Sequence, residues 1–260
     1  MTMTRMDESE TAFVFDVDGT LVASSLQLTN DNRETLLRFS EAMPTYLISG
    51  SEFEKTRWQI GDLVFKPVRG VFNCNGNSFR VGGLPVFQSS FDLTDELAAF
   101  LQDLLAGSGF PLRTGRHIDR RAGLVNFSVV GRNADLSERR QYVAWDQAKG
   151  ERKRIAELIN RQFGDLVSAQ VAGETGIDLV EPGKDKGRVY RFLKDPFHCL
   201  RTGYAHAGFA RIAFFGDNCH PGGNDYPLAM RLDQRVDTCH KVASIGDTYR
   251  TLNRILSDAA

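Results

Sequence analysis

Charge of one sign is scarce in this 260-residue sequence. Its 32 Lys and Arg nearly balance 33 Asp and Glu, for a formal net charge of −1. No global field draws nucleic acid or an anionic membrane, so affinity for an anion has to come from a local cluster. Long apolar runs are also missing, and none approaches the ~20 residues needed to cross a bilayer. The opening MTMTRMDESETA lacks an apolar centre and does not read as a secretory signal. Cysteine is sparse: Cys74, Cys199, Cys219 and Cys239 form no CxxC pair and no disulfide framework. His198-Cys199, Cys219-His220 and Cys239-His240 are adjacent pairs, but structural zinc sites use tighter ligand spacing. The expectation is a cytoplasmic protein with reduced thiols and with neither a nucleic-acid nor a membrane partner.

What is present is an ordinary globular composition, 42% hydrophobic and 25% charged. Short apolar runs alternate with helical patterns, which predicts an α/β fold. Strands are expected at FVFDV, TYLISG, GVFNCNG, GLVNFSVVG, GIDLVEPG and RIAFFGDN, with HKVASIGD as a late strand or turn. Helices are expected over Leu26–Glu41 behind a Thr29 cap, from Ser51 with Glu54 in capping-box spacing, and over Leu93–Leu105. Further helices are expected in one long stretch from Ser137, in GRVYRFLK, and in TYRTLNRILSDA. The pattern changes near Val81 and returns after Lys186. That predicts a discontinuous core, residues 1–82 and 188–260, with an α/β cap inserted at 86–185.

In a parallel sheet, ligands sit outside the carboxyl ends of the strands. Three expected strands end there in polar residues: Asp16-Val17-Asp18-Gly19-Thr20, Ser49-Gly50-Ser51 and Gly216-Asp217-Asn218, the last followed by Pro221-Gly222-Gly223-Asn224-Asp225. Asp16, Asp217 and Asp225 would repel one another unless a cation sat among them, and an oxygen-only donor set suits Mg²⁺. Magnesium in turn suits phosphoryl chemistry. One of Asp16 and Asp18 can attack phosphorus, and the other can protonate a leaving oxygen. Lys186 is the best-placed lysine to offset the charge. Ser49 or Ser51 can hold a phosphoryl oxygen at a helix start.

These motifs resemble the haloacid dehalogenase superfamily, in the subclass whose α/β cap follows the third core strand. FVFDVDGTL, SGSEFEK, RAGLVNFSVVGR, IDLVEPGKDK and FFGDNCHPGGND occur in the order seen in eukaryotic-type phosphomannomutases. The resemblance covers nearly the whole chain and implies a Rossmann-like core with a specificity cap. It implies Asp16 as nucleophile, Asp18 as general acid/base and Lys186 as the phosphate-facing lysine. Mg²⁺ would be held by the Asp16 side chain, the Asp18 carbonyl and Asp217, supported by Asn224 and Asp225. Ser51 or Ser49 would bind the transferring phosphate. Arg121 and Arg132 would grip the distal phosphate, and Asp178 would contact the sugar. The substrate would be a sugar phosphate, with a hexose 1,6-bisphosphate as activator and a homodimer formed through the cap.

Bidentate guanidinium contacts suit phosphate, and Arg113, Arg116, Arg120, Arg121 and Arg132 cluster within twenty residues. The sequence departs from the family pattern in several places. Ser25 and Thr114 stand where arginines are usual, Gly176 where a serine is, and Cys74 where a glutamate is, and the cap is shorter between Leu84 and Arg113. Arg113 and Arg116 are candidates to replace the arginine missing at Thr114. The main reading is a mutase interconverting mannose 6-phosphate and mannose 1-phosphate. The alternatives are a sugar-phosphate phosphatase, in which water resolves the aspartyl phosphate, and a catalytically silent binding protein.

Overall fold

The computed structural model describes residues 11–24, 26–201, 204 and 208–259. Ser25, the segment 1–10 and the side chain of Cys199 lie outside the described residues.

β1 (Thr11–Asp16) is buried along its whole length. It runs parallel to β10 (Arg211–Gly216) on one side and β2 (Thr45–Ile48) on the other. Parallel neighbours continue outward to β3 (Gly70–Asn73) beyond β2 and β11 (Thr238–Lys241) beyond β10. Strands covered on both faces read as continuous apolar runs, which is why TAFVFD and RIAFFG carry little polar alternation. Phe13, Phe15, Leu47 and Phe215 pack on one face under α1 (Asn30–Ala42) and α10 (Ile245–Ala259). Val14, Tyr46, Ile48 and Phe72 pack on the other under α7 (Arg188–Lys194) and α9 (Tyr226–Arg231). Thr29 caps α1 as expected, its Oγ1 accepting from the Asn32 backbone N–H at 3.3 Å.

The sheet does not stop where the sequence suggested. β4 (Ser78–Val81) and β5 (Leu84–Gln88) form an antiparallel hairpin that extends it past β3. Residues 86–88 were expected at the start of the cap, yet they belong to β5 in the seven-stranded sheet. Gly82-Gly83 is therefore a hairpin turn within the core sheet.

A second sheet carries the insertion. β6 (Ile118–Arg121), β7 (Leu124–Phe127), β9 (Gly176–Val180) and β8 (Ser168–Ala172) lie side by side in that order, all antiparallel. One face takes Val125, Phe127, Ile177 and Leu179 against α4 (Asp95–Ala106), α5 (Leu136–Lys149) and α6 (Glu151–Phe163). The period-2 alternation puts Asn126 and Asp178 on the other face. The long helix expected after Ser137 is two helices, because Gly150 adopts φ 62° and turns the chain between α5 and α6. The strand expected over 123–131 is only β7, because from Ser128 the chain bonds irregularly to the 114–117 segment.

The two sheets meet at a joint made by both. Cys74, Leu124 and Val180 form a small apolar cluster. Val171 of β8 bridges the backbone of Gly223, and Asn77 Nδ2 donates to the Lys184 carbonyl at 2.6 Å. Three short helices, α2 (Phe53–Ile60), α3 (Asp62–Phe65) and α8 (Pro196–Leu200), complete the described elements.

Candidate active site

Because β10, β1, β2 and β3 are adjacent and parallel, their carboxyl ends open on one edge. Asp16 ends β1, Ser49 follows β2, and Asp217 follows β10. They border a cleft of about 390 Å³ between the two sheets, lined by Asp16, Asp18, Ser51, Asp217 and Asn224 from the core and by residues of the insertion opposite.

At its floor the Lys186 ammonium, fully buried, donates to Asp16 Oδ1 at 2.5 Å and to Asp225 Oδ1 at 2.6 Å. Asp225 Oδ2 accepts the Asn218 backbone N–H at 3.0 Å, which ties the Gly222-Gly223-Asn224-Asp225 loop to the end of β10. Burial alone would discharge Lys186, but Asp16 and Asp225 beside it more than offset that and keep it protonated. Burial pushes the Asp16 carboxyl well above its ordinary range; Lys186 opposes the shift, and Asp225 and Asp217 add to it. Asp217 is pushed up to about 6, first by burial and then by Asp225.

Burial comes first for both carboxyls, and crowding adds to it: three carboxylates lie together with the Lys186 ammonium among them. Oxygens of Asp16, Asp217 and Asp225 lie within 4.8 Å of one another. Asp217 Oδ1 is buried and without a hydrogen-bond partner among the described residues. The donor set is all oxygen, which suits a hard divalent cation such as Mg²⁺. The residues therefore fit a metal ion. Gly19 permits the approach: it holds φ 89°, and a Cβ there would lie 2.5 Å from Asp217 Oδ2.

Asp18 faces a second set of groups. Gln59 Nε2 donates to it at 2.9 Å, and the Lys55 ammonium lies 3.4 Å from both of its carboxylate oxygens. The Ser51 hydroxyl donates to it at 3.4 Å and accepts from Lys55 at 3.0 Å. The expected Ser51 capping box is therefore not made. Glu52 is the N-cap of α2, with no side-chain bond, because the Ser51 hydroxyl is turned into the cleft. Ser49 does not reach the cleft; its Oγ accepts the Ser51 backbone N–H at 3.0 Å and so shapes the loop.

The insertion supplies cations opposite. Arg121 lies under Asp119 with Nη2 at 2.9 Å and donates Nη1 to the Gly50 carbonyl at 2.9 Å, spanning the joint. Arg132 Nε lies 3.6 Å from the same Asp119. Arg139, from the first turn of α5, completes the group and lies 4.0 Å from Glu174. Both oxygens of Asp178 are engaged, Oδ1 by Asn126 Nδ2 at 2.7 Å and Oδ2 by Asn75 Nδ2 at 2.8 Å.

Three arginines of the sequence cluster fall elsewhere. Arg113 does not line the cleft; it donates to the Leu105, Ser108, Phe110 and Leu112 carbonyls and so closes the end of α4. Arg116 is 73% exposed and paired with Asp119 at 3.5 Å, outside the cleft lining. Arg120 is exposed on the strand face opposite Asp119 and Arg121. Neither Arg113 nor Arg116 replaces the arginine missing at Thr114, whose hydroxyl donates to Glu138 Oε1 at 2.7 Å.

The residues that sequence reasoning missed are Lys55, Gln59, Asn126 and Arg139. Ser51, Lys55 and Gln59 lie at i, i+4 and i+8, one face of a helix, and that spacing was legible. Asn126 stood out only as a lone amide in an apolar strand. Arg139 carried no sequence signal, because its place depends on how α5 meets the sheet.

A parallel core with acidic strand ends, closed by an inserted α/β cap, is the architecture of the haloacid dehalogenase superfamily. Solved structures share it. A trehalose-6-phosphate phosphatase C-terminal domain from C. albicans superposes with TM-score 0.61 at 14% identity, over 97% of this chain and 94% of that one. A phosphatase of the superfamily from Bacteroides thetaiotaomicron superposes with TM-score 0.55 at 14% identity, over 97% of each chain. Within that class, residues 32–258 match the eukaryotic phosphomannomutase family. The phosphomannomutase of Saccharomyces cerevisiae is 30% identical over 258 residues, 96% of each chain. A probable phosphomannomutase of Caenorhabditis elegans is 29% identical over 267 residues, 98% of this chain and 99% of its own. The chain belongs to the eukaryotic phosphomannomutase family, and it is an enzyme of that kind.

Proposed function

We propose that the protein interconverts mannose 6-phosphate and mannose 1-phosphate through an aspartyl phosphate on Asp16, primed by a hexose 1,6-bisphosphate. One observation carries this reading: a single cleft joins an acidic, lysine-bearing end to a cationic end of Arg121, Arg132 and Arg139. A mutase must hold a sugar carrying phosphate at either end, so it needs a binding group for phosphate at both.

Lys186 holds one oxygen of Asp16 and leaves the other to attack phosphorus. Asp18, two residues on and held by Gln59 and Lys55, gives a proton to the departing sugar oxygen. It then takes one from the hydroxyl that receives the phosphoryl group. Ser51 and the loop set by Ser49 hold a phosphoryl oxygen. Arg121 and Arg132, aligned by Asp119, grip the distal phosphate by their planar guanidinium groups. Asp16 and Asp217, with the Asp18 carbonyl and the Asn224-Asp225 loop, would hold Mg²⁺, which neutralises charge on the transferring phosphoryl group. A homodimer formed through the cap and a cytoplasmic location belong to the same proposal and rest on family membership.

A second reading, a sugar-phosphate phosphatase, draws on Glu174, whose carboxylate lies 4.0 Å from Arg139 and offsets part of the distal charge. The test is to incubate the protein with mannose 1-phosphate and Mg²⁺, with and without glucose 1,6-bisphosphate, and to follow the products by phosphorus NMR. Bisphosphate-dependent mannose 6-phosphate is the expected product. Inorganic phosphate without isomer would replace this reading with the second.

A further inference from the structure

One row of side chains crosses the cap sheet at a single level. The strand register sets Asp119 opposite Asn126, Asn126 opposite Asp178, and Asp178 opposite Gln170. Directly opposed residues in antiparallel strands share a face, and Asn126 and Asp178 line the cleft. Asp119 aligns the arginines at one end of this row. Asn126, in the middle, is 4% exposed in an otherwise apolar strand.

Its neighbours fix which way its amide points. Nδ2 donates to Asp178 Oδ1, whereas the flipped amide would set a carbonyl oxygen against a carboxylate. That leaves Asn126 Oδ1 buried and without a donor among the described residues. Buried acceptors are rarely left unmatched unless a ligand or a water supplies the proton. Gly176 makes the arrangement possible, since a Cβ at that position would lie 2.5 Å from Asn126 Nδ2.

The missing partner must be a hydrogen-bond donor. A phosphate dianion has no proton to give and would be repelled by Asp178. A ring hydroxyl has one, and it can also accept from a neighbouring donor. We infer that Asn126 is a specificity-determining residue, its Oδ1 accepting the proton of one ring hydroxyl of the sugar between the two phosphate-binding ends of the cleft. This rests on the sugar-phosphate reading above. Gly176 supports it by leaving room for the amide.

The experiment is calorimetric binding of mannose 6-phosphate and its 2-, 3- and 4-deoxy analogues to the full-length protein with Mg²⁺, without a bisphosphate so that turnover is idle. The wild type should bind one analogue about tenfold more weakly than the parent, or worse. Asn126→Ala and Gly176→Ala should each narrow that gap to within about twofold, leaving the ratios for the other analogues unchanged. The wild-type arm needs no variant. If every analogue binds it within about twofold of the parent, the amide carbonyl holds only water and the inference is overturned. It is equally overturned if the gap survives in a folded Asn126→Ala or Gly176→Ala protein. Binding without discrimination sinks only the role of Asn126. Failure to bind any hexose phosphate sinks the sugar-phosphate reading, and this role with it.

Discussion

Lys186 and Asp16, 170 positions apart in sequence, meet at 2.5 Å in a site that excludes solvent from the lysine altogether. The same ammonium also holds Asp225, so one cation sets the position of Asp16 and of the acidic loop together. Lys186→Met should therefore lower kcat by about a hundredfold or more. It should also lower stability by about 3–5 kcal/mol, because buried carboxylates would be left without their partner. Steady-state kinetics and denaturant unfolding check the two effects. A variant with full stability would show that the ion pair is not the anchor of the floor.

Asp16→Asn keeps the shape of the side chain and removes the proposed nucleophile. Turnover, whether read as isomer or as inorganic phosphate, should fall by about a thousandfold or more. Appreciable residual activity in a folded variant would move the nucleophile elsewhere.

The cap arginines divide by place. Arg132→Ala should raise KM by about 10- to 100-fold, since a charge-assisted contact to phosphate is lost, while the dependence on Mg²⁺ stays as in the wild type. Arg113→Ala should leave KM unchanged and lower stability by about 1–2 kcal/mol, because carbonyls at the end of α4 lose their donor. A raised KM in Arg113→Ala would contradict its placement outside the cleft.

Asp217, as a proposed metal ligand, would tie metal binding to pH. Its folded-state value of about 6 stands above its ordinary 3.8. Between those values the folded protein holds a proton that the unfolded chain has released. The stability this group contributes is therefore full below about 3.8 and is lost as pH rises through about 6. A cation restores it at high pH by taking the place of the proton. The gain in Tm on adding Mg²⁺ should be clearly larger at about pH 7.5 than at about pH 5. An equal gain at both would separate Asp217 from the metal.

The acidic cluster of the core was legible in the sequence because it sits on strand ends. Asp16, Asp217 and Asp225 each follow an apolar run or a glycine turn, and parallel pairing brings such ends to one edge. Lys186 was legible as the lysine at which the core pattern resumes. The cap was harder to read, because its arginines are sorted by which face of a short strand they occupy. Arg120 and Arg121 are neighbours in sequence and lie on opposite faces. Arg113 reads like a phosphate ligand but is spent on helix carbonyls. The boundary between core and cap was set too early, near Val81, because Gly82-Gly83 marks a turn equally well inside a sheet or between domains.

The most direct test of the account follows the phosphoryl group itself. Glucose 1,6-bisphosphate carrying labelled phosphate would be mixed with the enzyme, Mg²⁺ and excess mannose 1-phosphate for a single turnover, and the label partitioned between sugar phosphates and inorganic phosphate. One of the two phosphates passes to Asp16 and the other stays on glucose; if the cap arginines deliver a second sugar phosphate to phosphorylated Asp16, nearly all of the transferred label will appear on mannose. Recovery of that transferred label chiefly as inorganic phosphate would mean that water reaches Asp16 first, and would contradict the account.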